Sequence, residues 1–370
     1  MRAPAAVGMR LEEVDTPALV VELDAFERNL RRMMDAVAGS GVRVRAHSKT
    51  HKCPEIARLQ MAAGAVGVCC QKVSEAEAMV EGGIGDVLVS NEVVGAAKLA
   101  RLAELARRAR VGVCVDNARN VRDLDAACGA AGTKLDVYVE VDVGARRCGV
   151  PPGEPAAALA REVAACAHLR FAGLQAYHGA AQHERSMAER RERIAQAAQA
   201  AQATRSRIEA DGIACPVVTG AGSGSFMFEI DSGAFDEIQP GSYVFMDADY
   251  ARNEWADPLP RFEHALFVLA TVMSRPVPER AVVDAGLKAS SVDSGMPQVW
   301  QRTGVEFVKA SDEHGVLAIA PGAQAPTLGE KLLLVPGHCD PTVNLYDWFV
   351  CVRGGVVEAL WPVSARGALW

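Results

Sequence analysis

The sequence predicts an α/β chain built as a (β/α)8 TIM-type barrel followed by a smaller antiparallel β domain. Three observations lead there. Short apolar runs at 18–21, 42–44, 66–70, 87–89, 111–115, 137–141, 171–175, 217–218 and 243–245 alternate with longer amphipathic stretches, the signature of strand–helix units in a parallel sheet. Eight or nine such units over residues 17–250 suit a closed barrel better than an open, doubly wound sheet. After Tyr250 the texture changes to short β-rich runs separated by Gly and Pro, with no helical periodicity. The barrel is therefore expected over 17–250, and the β domain over 251–370 together with residues 1–16.

The intervening stretches 26–39, 74–82, 95–109, 154–168 and 185–211 are rich in Ala, Arg, Glu and Gln and read as the barrel's outer helices. The β runs of the second domain fall at 265–273, 281–284, 316–319, 331–335, 348–353 and 356–360.

Composition narrows the function classes. The 370 residues are 50% hydrophobic and 23% charged, ordinary for a soluble globular protein. A net charge of −7 gives no electrostatic footprint for nucleic acid or an anionic membrane. No apolar run approaches the ~18 residues a membrane span needs, and the first residues carry no apolar core of a secretory signal. None of the ten cysteines falls in a CxxC pair. Most sit in apolar stretches and read as small buried hydrophobes in a reducing, cytoplasmic compartment.

Three clusters can carry chemistry. Arg43-Val44-Arg45-Ala46-His47-Ser48-Lys49-Thr50-His51-Lys52 lies at the end of an early strand. A lysine there points into a barrel's active-site mouth, where Schiff-base chemistry takes place, and its basic neighbours with partial burial would lower its pKa. The alternative is a solvated basic loop, and the residues alone weigh the two evenly. Thr219-Gly220-Ala221-Gly222-Ser223-Gly224-Ser225 and Gln239-Pro240-Gly241-Ser242 follow the late strands, the usual phosphate site of a barrel. Their glycine spacing is not the dinucleotide GxGxxG, which counts against a dehydrogenase. His338-Cys339-Asp340-Pro341 shows no helical signal. In an extended segment His338 and Asp340 would face one side and could share a divalent ion, although on the residues alone a polar turn is the simpler explanation of the pair. His178 and His183, just past the strand ending near Tyr177, are candidate bases, whereas His168 reads as structural.

These clusters, in this order, resemble the D-threonine aldolase and 3-hydroxy-D-aspartate aldolase group of the alanine-racemase-like (fold type III) pyridoxal-phosphate enzymes, related to D-serine dehydratase. The likeness runs from Asp15-Thr16-Pro17 to Val363-Ser364-Ala365-Arg366-Gly367 and includes Val68-Cys69-Cys70-Gln71-Lys72-Val73-Ser74-Glu75-Ala76, Val141-Asp142-Val143-Gly144, Gln175-Ala176-Tyr177-His178-Gly179 and Phe245-Met246-Asp247-Ala248-Asp249-Tyr250. The resemblance implies that Lys49 carries pyridoxal 5'-phosphate (PLP) and that Arg147 stands at its phenolic oxygen. It implies that Ser223, Gly241 and Ser242 hold the phosphate, that Gln71, Tyr177 and Tyr250 line the cofactor, and that Gln239 meets the pyridine ring. His338 and Asp340 become ligands of a divalent metal with Asp312 nearby, and His183 the base that takes the β-hydroxyl proton, directly or through water.

The implied reaction is retro-aldol cleavage of a D-β-hydroxy-α-amino acid to glycine and an aldehyde: acetaldehyde from D-threonine, glyoxylate from 3-hydroxy-D-aspartate. A carboxylate beside the histidine, in place of the His-x-Cys pair that dehydratases resemble, favours Mn²⁺ or Mg²⁺ over Zn²⁺ and cleavage over β-elimination. A homodimer is implied as well. The rival readings are a D-serine or 3-hydroxyaspartate dehydratase, a racemase and a non-catalytic PLP-binding protein, for which residues 251–370 would be surplus.

Overall fold

The computed structural model describes residues 2–256 and 259–370. The chain enters through β1 (Ala18–Glu22) and α1 (Leu23–Val37). It then alternates β2 (Arg43–His47), α2 (Pro54–Ala63), β3 (Gly67–Cys70), α3 (Val73–Glu81), β4 (Asp86–Glu92), α4 (Ala96–Leu105), β5 (Arg110–Val115), α5 (Ala118–Ala131), β6 (Leu135–Glu140), α6 (Glu154–Ala165), β7 (Leu169–Ala176), α7 (Met187–Ala210), β8 (Val218–Gly220), α8 (Phe226–Ser232) and β9 (Glu237–Ile238). Strands β2 to β9 close into one parallel barrel, with Arg43 and Val44 of β2 paired to Glu237 and Ile238 of β9.

Period-two alternation sorts each strand into two faces. Val68, Val87, Val89, Val113, Val137 and Val139 pack outward in the core under the helices. Cys69, Leu88, Cys114 and Tyr138 point inward and pack on one another. Gly112 makes room for them, since a Cβ there would come within 2.9 Å of Leu88 Cδ1 and 3.2 Å of the Tyr138 ring.

The second domain comprises β10 (Leu266–Val277), β11 (Arg280–Val283), β12 (Gln298–Val299), β13 (Val305–Ala310), β14 (Gly315–Ile319), β15 (Lys331–Val335), α9 (Cys339–Val343), β16 (Trp348–Arg353) and β17 (Val356–Pro362). The main path of its sheet runs β13-β14-β11-β10-β1-β16-β17, with β15 and β12 off β10.

Four expectations change. The run at 18–21 is not a barrel strand: β1 sits in the second sheet between β10 and β16. Its residues are buried on both faces, Leu19 and Val21 in one core and Ala18 and Val20 in another, as a central strand requires. Because β1 runs parallel to β16, the sheet is mixed, not purely antiparallel. The run at 243–245 is not a strand either. Ser242–Val244 form a 3-10 turn after the Pro240-Gly241 break, and Tyr243, Val244 and Phe245 fill the core shared with α1 and β10. Finally, the expected absence of a helix after Tyr250 fails at Cys339–Val343, a five-residue helix that starts inside the His-x-Asp motif.

Candidate active site

One cavity at the C-terminal ends of the barrel strands is lined by Lys49, Gln71, Arg147, Tyr177, His183 and Ser223 together with Gln239, Gly241, Ser242, Tyr250, His338 and Asp340. The structure thus brings together every residue named above for PLP, proton transfer and metal except Asp312 and the alternative base His178. That carboxylate lies outside the cavity, 78% exposed and 3.9 Å from Lys288.

Lys49 reaches the cavity because β2 stops at His47 and Ser48–Thr50 turn sharply as a 3-10 element. The Ser48 hydroxyl donates to the Cys69 carbonyl at 2.7 Å and ties this turn to β3. The basic cluster is then split up. Arg45 points down the barrel to Glu237 and Asp86, Lys52 forms a buried pair with Glu75 at 2.8 Å, and Lys49 faces the cavity with Nζ 3.7 Å from Asp340 Oδ2. The expected lowering of its pKa does not hold. Burial and Arg147 do push it down, but Asp340, Tyr177 and Glu75 outweigh them and the net direction is upward.

Beside Lys49, His47 Nδ1 accepts the Lys49 N–H at 3.3 Å while Nε2 meets the Gln71 amide at 2.9 Å and the Ser90 hydroxyl at 3.3 Å. Burial, then the charges of Lys49, His51 and Arg147, hold His47 neutral. Gln239 exchanges hydrogen bonds with Gln175 at 2.7 and 3.1 Å and donates to Thr219 Oγ1 at 2.8 Å, so its neutral amide is fixed where the pyridine ring is expected. Arg147 lies 5.7 Å over the Tyr177 ring and 3.7 Å from Glu140.

The residues fit the cofactor. Gly241 lies so close to the Lys49 turn that a Cβ would come within 2.5 Å of Thr50 Oγ1, and Ser223, Gly241 and Ser242 bring backbone and hydroxyl donors to one wall. Thr50 Oγ1, on the same wall, is buried without a hydrogen-bond partner among the described residues, a donor left for an anion such as phosphate.

The His338/Asp340 pair is built differently from the extended strand expected. His338 is the extended N-cap residue of α9 and Asp340 falls in the helix's first turn, while Cys339 between them is fully buried and turned toward the Met246 carbonyl. Asp247 accepts the Cys339 N–H at 3.0 Å and braces the turn. The His338 ring is oriented by Asp293, whose Oδ2 lies 2.8 Å from Nδ1, which leaves Nε2 for an ion. Asp340 Oδ1 is buried with no hydrogen-bond partner among the described residues. An imidazole, a free carboxylate oxygen and a carboxylate behind the ring suit a divalent cation.

The His183 ring lies 5.0 Å from that of Tyr250, tilted by 38°, and its Nδ1 lies 2.5 Å from Asp249 Oδ2. Arg185 and Arg252 hold Asp249 Oδ1. Burial lowers the His183 pKa against the pull of Asp249, so the ring is a neutral acceptor at neutral pH. The other candidate, His178, is buried away from the cavity, and its Nδ1 accepts the Ala181 N–H at 3.3 Å.

Ser90, Gln175, Thr50, Asp249 and Asp293 were not singled out from sequence. Strand parity could have found two of them. If Leu88 points into the barrel, so does Ser90. If Leu174 packs outward, Gln175 faces in.

The chain matches the model of the alanine racemase N-terminal domain over residues 21–249 and that of a putative serine dehydratase domain over residues 265–352. A D-threonine aldolase of Arthrobacter sp. is 52% identical over 364 residues, covering 98% of this chain and 96% of the relative. A 3-hydroxy-D-aspartate aldolase of Paracoccus denitrificans (strain Pd 1222) is 50% identical over 370 residues, covering 98% and 95%. The crystal structure of a D-threonine aldolase from Filomicrobium marinum superposes with a TM-score of 0.97 at 55% identity, covering 100% of both chains.

Proposed function

Since the chain belongs to the family of the alanine racemase N-terminal domain, in the branch that carries a serine-dehydratase-type second domain, we propose that it cleaves D-configured β-hydroxy-α-amino acids to glycine and an aldehyde. It is a carbon–carbon lyase of the D-threonine aldolase type. The observation that carries this reading is the convergence in one cavity of Lys49, the His338/Asp340 pair and the His183–Asp249 dyad.

Lys49 would hold PLP, with Ser223, Gly241 and Ser242 at its phosphate, Arg147 at its phenolic oxygen, and Gln71, Tyr177, Gln239 and Tyr250 around the ring. His338 and Asp340 would hold a divalent ion, for which the carboxylate favours Mn²⁺ or Mg²⁺ over Zn²⁺. When bound, PLP supplies an electron sink for charge at Cα and the ion polarises the substrate's β-hydroxyl. The chain's own residues do the rest. Asp249 accepts from His183 Nδ1–H and so presents Nε2 as the acceptor for the β-hydroxyl proton. Gln239, held by Gln175, would offer the pyridine nitrogen a neutral amide and not a cation. Asp340 brings Lys49 and the metal site within one contact of each other, at 3.7 Å.

D-Threonine and 3-hydroxy-D-aspartate are the two substrates to try, in that order of identity to the relatives. The family resemblance supports a homodimer, which sedimentation would check. Ten free cysteines fit a reducing, cytoplasmic setting.

The test is product identity from D- and L-threonine with purified protein and PLP, after EDTA and after adding Mn²⁺. Glycine and acetaldehyde are expected from the D isomer alone, lost with EDTA and restored by Mn²⁺. A 2-oxo acid in their place would make the protein a dehydratase.

A further inference from the structure

Beside the cavity, and not in it, four side chains from consecutive strand ends converge: Glu92 closing β4, Asp116 one residue past β5, Glu140 closing β6, and Cys148 in the loop that follows. One donor atom each from Glu92, Asp116 and Cys148 lies within 4.8 Å of the other two, a spread one ion can bridge. Glu140 is only 4% exposed, its Oε2 has no hydrogen-bond partner among the described residues, and its carboxyl faces that of Glu92. Both oxygens of Glu92 are likewise shut off from water without a partner. Arg147 reaches Glu140 Oε1 only at 3.7 Å, and Asp116 Oδ2 accepts the Gly149 N–H at 3.2 Å.

Two buried carboxyls packed face to face cannot both stay ionised unless something positive lies between them. Burial and the neighbouring Glu92 push the Glu140 carboxyl up to about 8, so a shared proton is one solution. A cation is the other, and the geometry favours it, because a proton serves two carboxyls whereas Glu92 also has the Asp116 carboxylate and the Cys148 thiol within reach of one ion.

We propose that Glu92, Asp116 and Cys148 form a second divalent-cation site, separate from His338 and Asp340, with the buried Glu140 carboxyl behind Glu92, and that the thiolate selects a borderline-soft ion of the Zn²⁺ class. Three protein donors hold the ion and water completes its coordination, at a place apart from the residues that line the Lys49 cavity. Binding releases the Cys148 proton and any proton held by Glu140. The ion ties the ends of β4, β5 and β6 to the loop in which Arg147 precedes Cys148, and so fixes the arginine at the cavity. The inference stands apart from the aldolase reading, because the test reads metal and not turnover.

The experiment loads the PLP-bound Asp340→Ala variant, whose other site is disabled, with Zn²⁺ and dialyses it. One zinc ion per chain should be retained, with an X-ray absorption spectrum showing sulfur at about 2.3 Å. Adding Cys148→Ser should remove the sulfur signal and weaken zinc at least about tenfold. No retained zinc, or zinc bound without sulfur, would overturn the proposal and leave a proton shared by Glu92 and Glu140. If the double variant does not fold, the absorption spectrum of Asp340→Ala alone still decides.

Discussion

The two ends of the barrel use the same residue types in opposite ways. At the N-terminal end of the strands, charges meet charges in a chain of alternating sign. Glu237 pairs with Arg45 at 2.8 Å, Arg45 with Asp86 at 2.6 Å, Asp86 with Arg110 at 3.5 Å, Arg110 with Asp136 at 2.8 Å, and Asp136 with Arg170. Arg45 and Glu237 are almost wholly buried, yet each charge has a partner. At the C-terminal end, Thr50 Oγ1, Asp340 Oδ1, Glu140 Oε2 and both oxygens of Glu92 are buried without hydrogen-bond partners among the described residues. Leaving such a group unmade costs about 1–3 kcal/mol. A fold that closes one end so fully and leaves the other open keeps the open end for ligands.

If that division is right, substitutions at the mouth should remove chemistry and leave stability, and substitutions at the base should do the reverse. The largest effect is expected from Lys49→Ala. Turnover should fall to background and the long-wavelength absorbance of lysine-bound PLP should vanish. The unfolding free energy of the cofactor-free protein, from urea titration, should move by no more than about 0.5 kcal/mol. A loss of several kcal/mol would place Lys49 in the framework and blur the contrast.

Asp249→Asn comes next. An amide can donate to Nδ1 as well as accept from it, so the His183 tautomer is no longer fixed and its charged partner is lost, and kcat should drop by about 10²–10⁴-fold. The pH profile gives the sharper check. Burial, Arg185 and His338 lower the His183 pKa and Asp249 raises it. Removing Asp249 lets the value fall further, and since the base must be neutral, the acid limb of kcat should shift to lower pH. An unmoved limb would mean that His183 is not the titrating base.

Arg45→Met tests the closed end. It takes from the buried Glu237 its partner at 2.8 Å and leaves Asp86 only Arg110 at 3.5 Å, and breaking a buried pair by removing one partner costs about 3–5 kcal/mol. Chemical denaturation should show that loss, while KM and kcat of the folded fraction stay as they were. A changed KM would mean that the base of the barrel reaches the mouth.

The sequence disclosed the mouth better than the base, for a physical reason. Lys49, Gly241 and the His338/Asp340 pair stand in local motifs that are ambiguous one by one, and it is their order along the chain that lets the resemblance find them together. Their supports come from distant segments. Asp249 meets His183 across 66 residues and Asp293 meets His338 across 45. The loop Ser291-Val292-Asp293-Ser294-Gly295 reads like any turn. The same limit explains β1, whose four apolar residues look like a barrel strand until the partner strands β10 and β16, more than 240 residues away, are in place. The His-x-Asp motif was legible as a pair but not as a helix start, because five residues of Cys-Asp-Pro-Thr-Val carry no period to read.

The smallest expected effect separates resemblance from geometry. Sequence likeness puts Asp312 near the metal, whereas the structure puts Asp293 against His338 Nδ1 at 2.8 Å and Asp312 out beside Lys288. A carboxylate behind a metal-binding imidazole fixes its tautomer and raises its basicity, and losing such a partner weakens the metal about 10–100-fold. Asp293→Ala should therefore raise the Mn²⁺ concentration for half-maximal activity by about that factor, with kcat recovered at saturating Mn²⁺. Asp312→Ala should leave the same titration unchanged. If the two variants swap roles, the loop around Asp312 folds over the site in the working enzyme, and the open end of the barrel is less open than its unpaired oxygens imply.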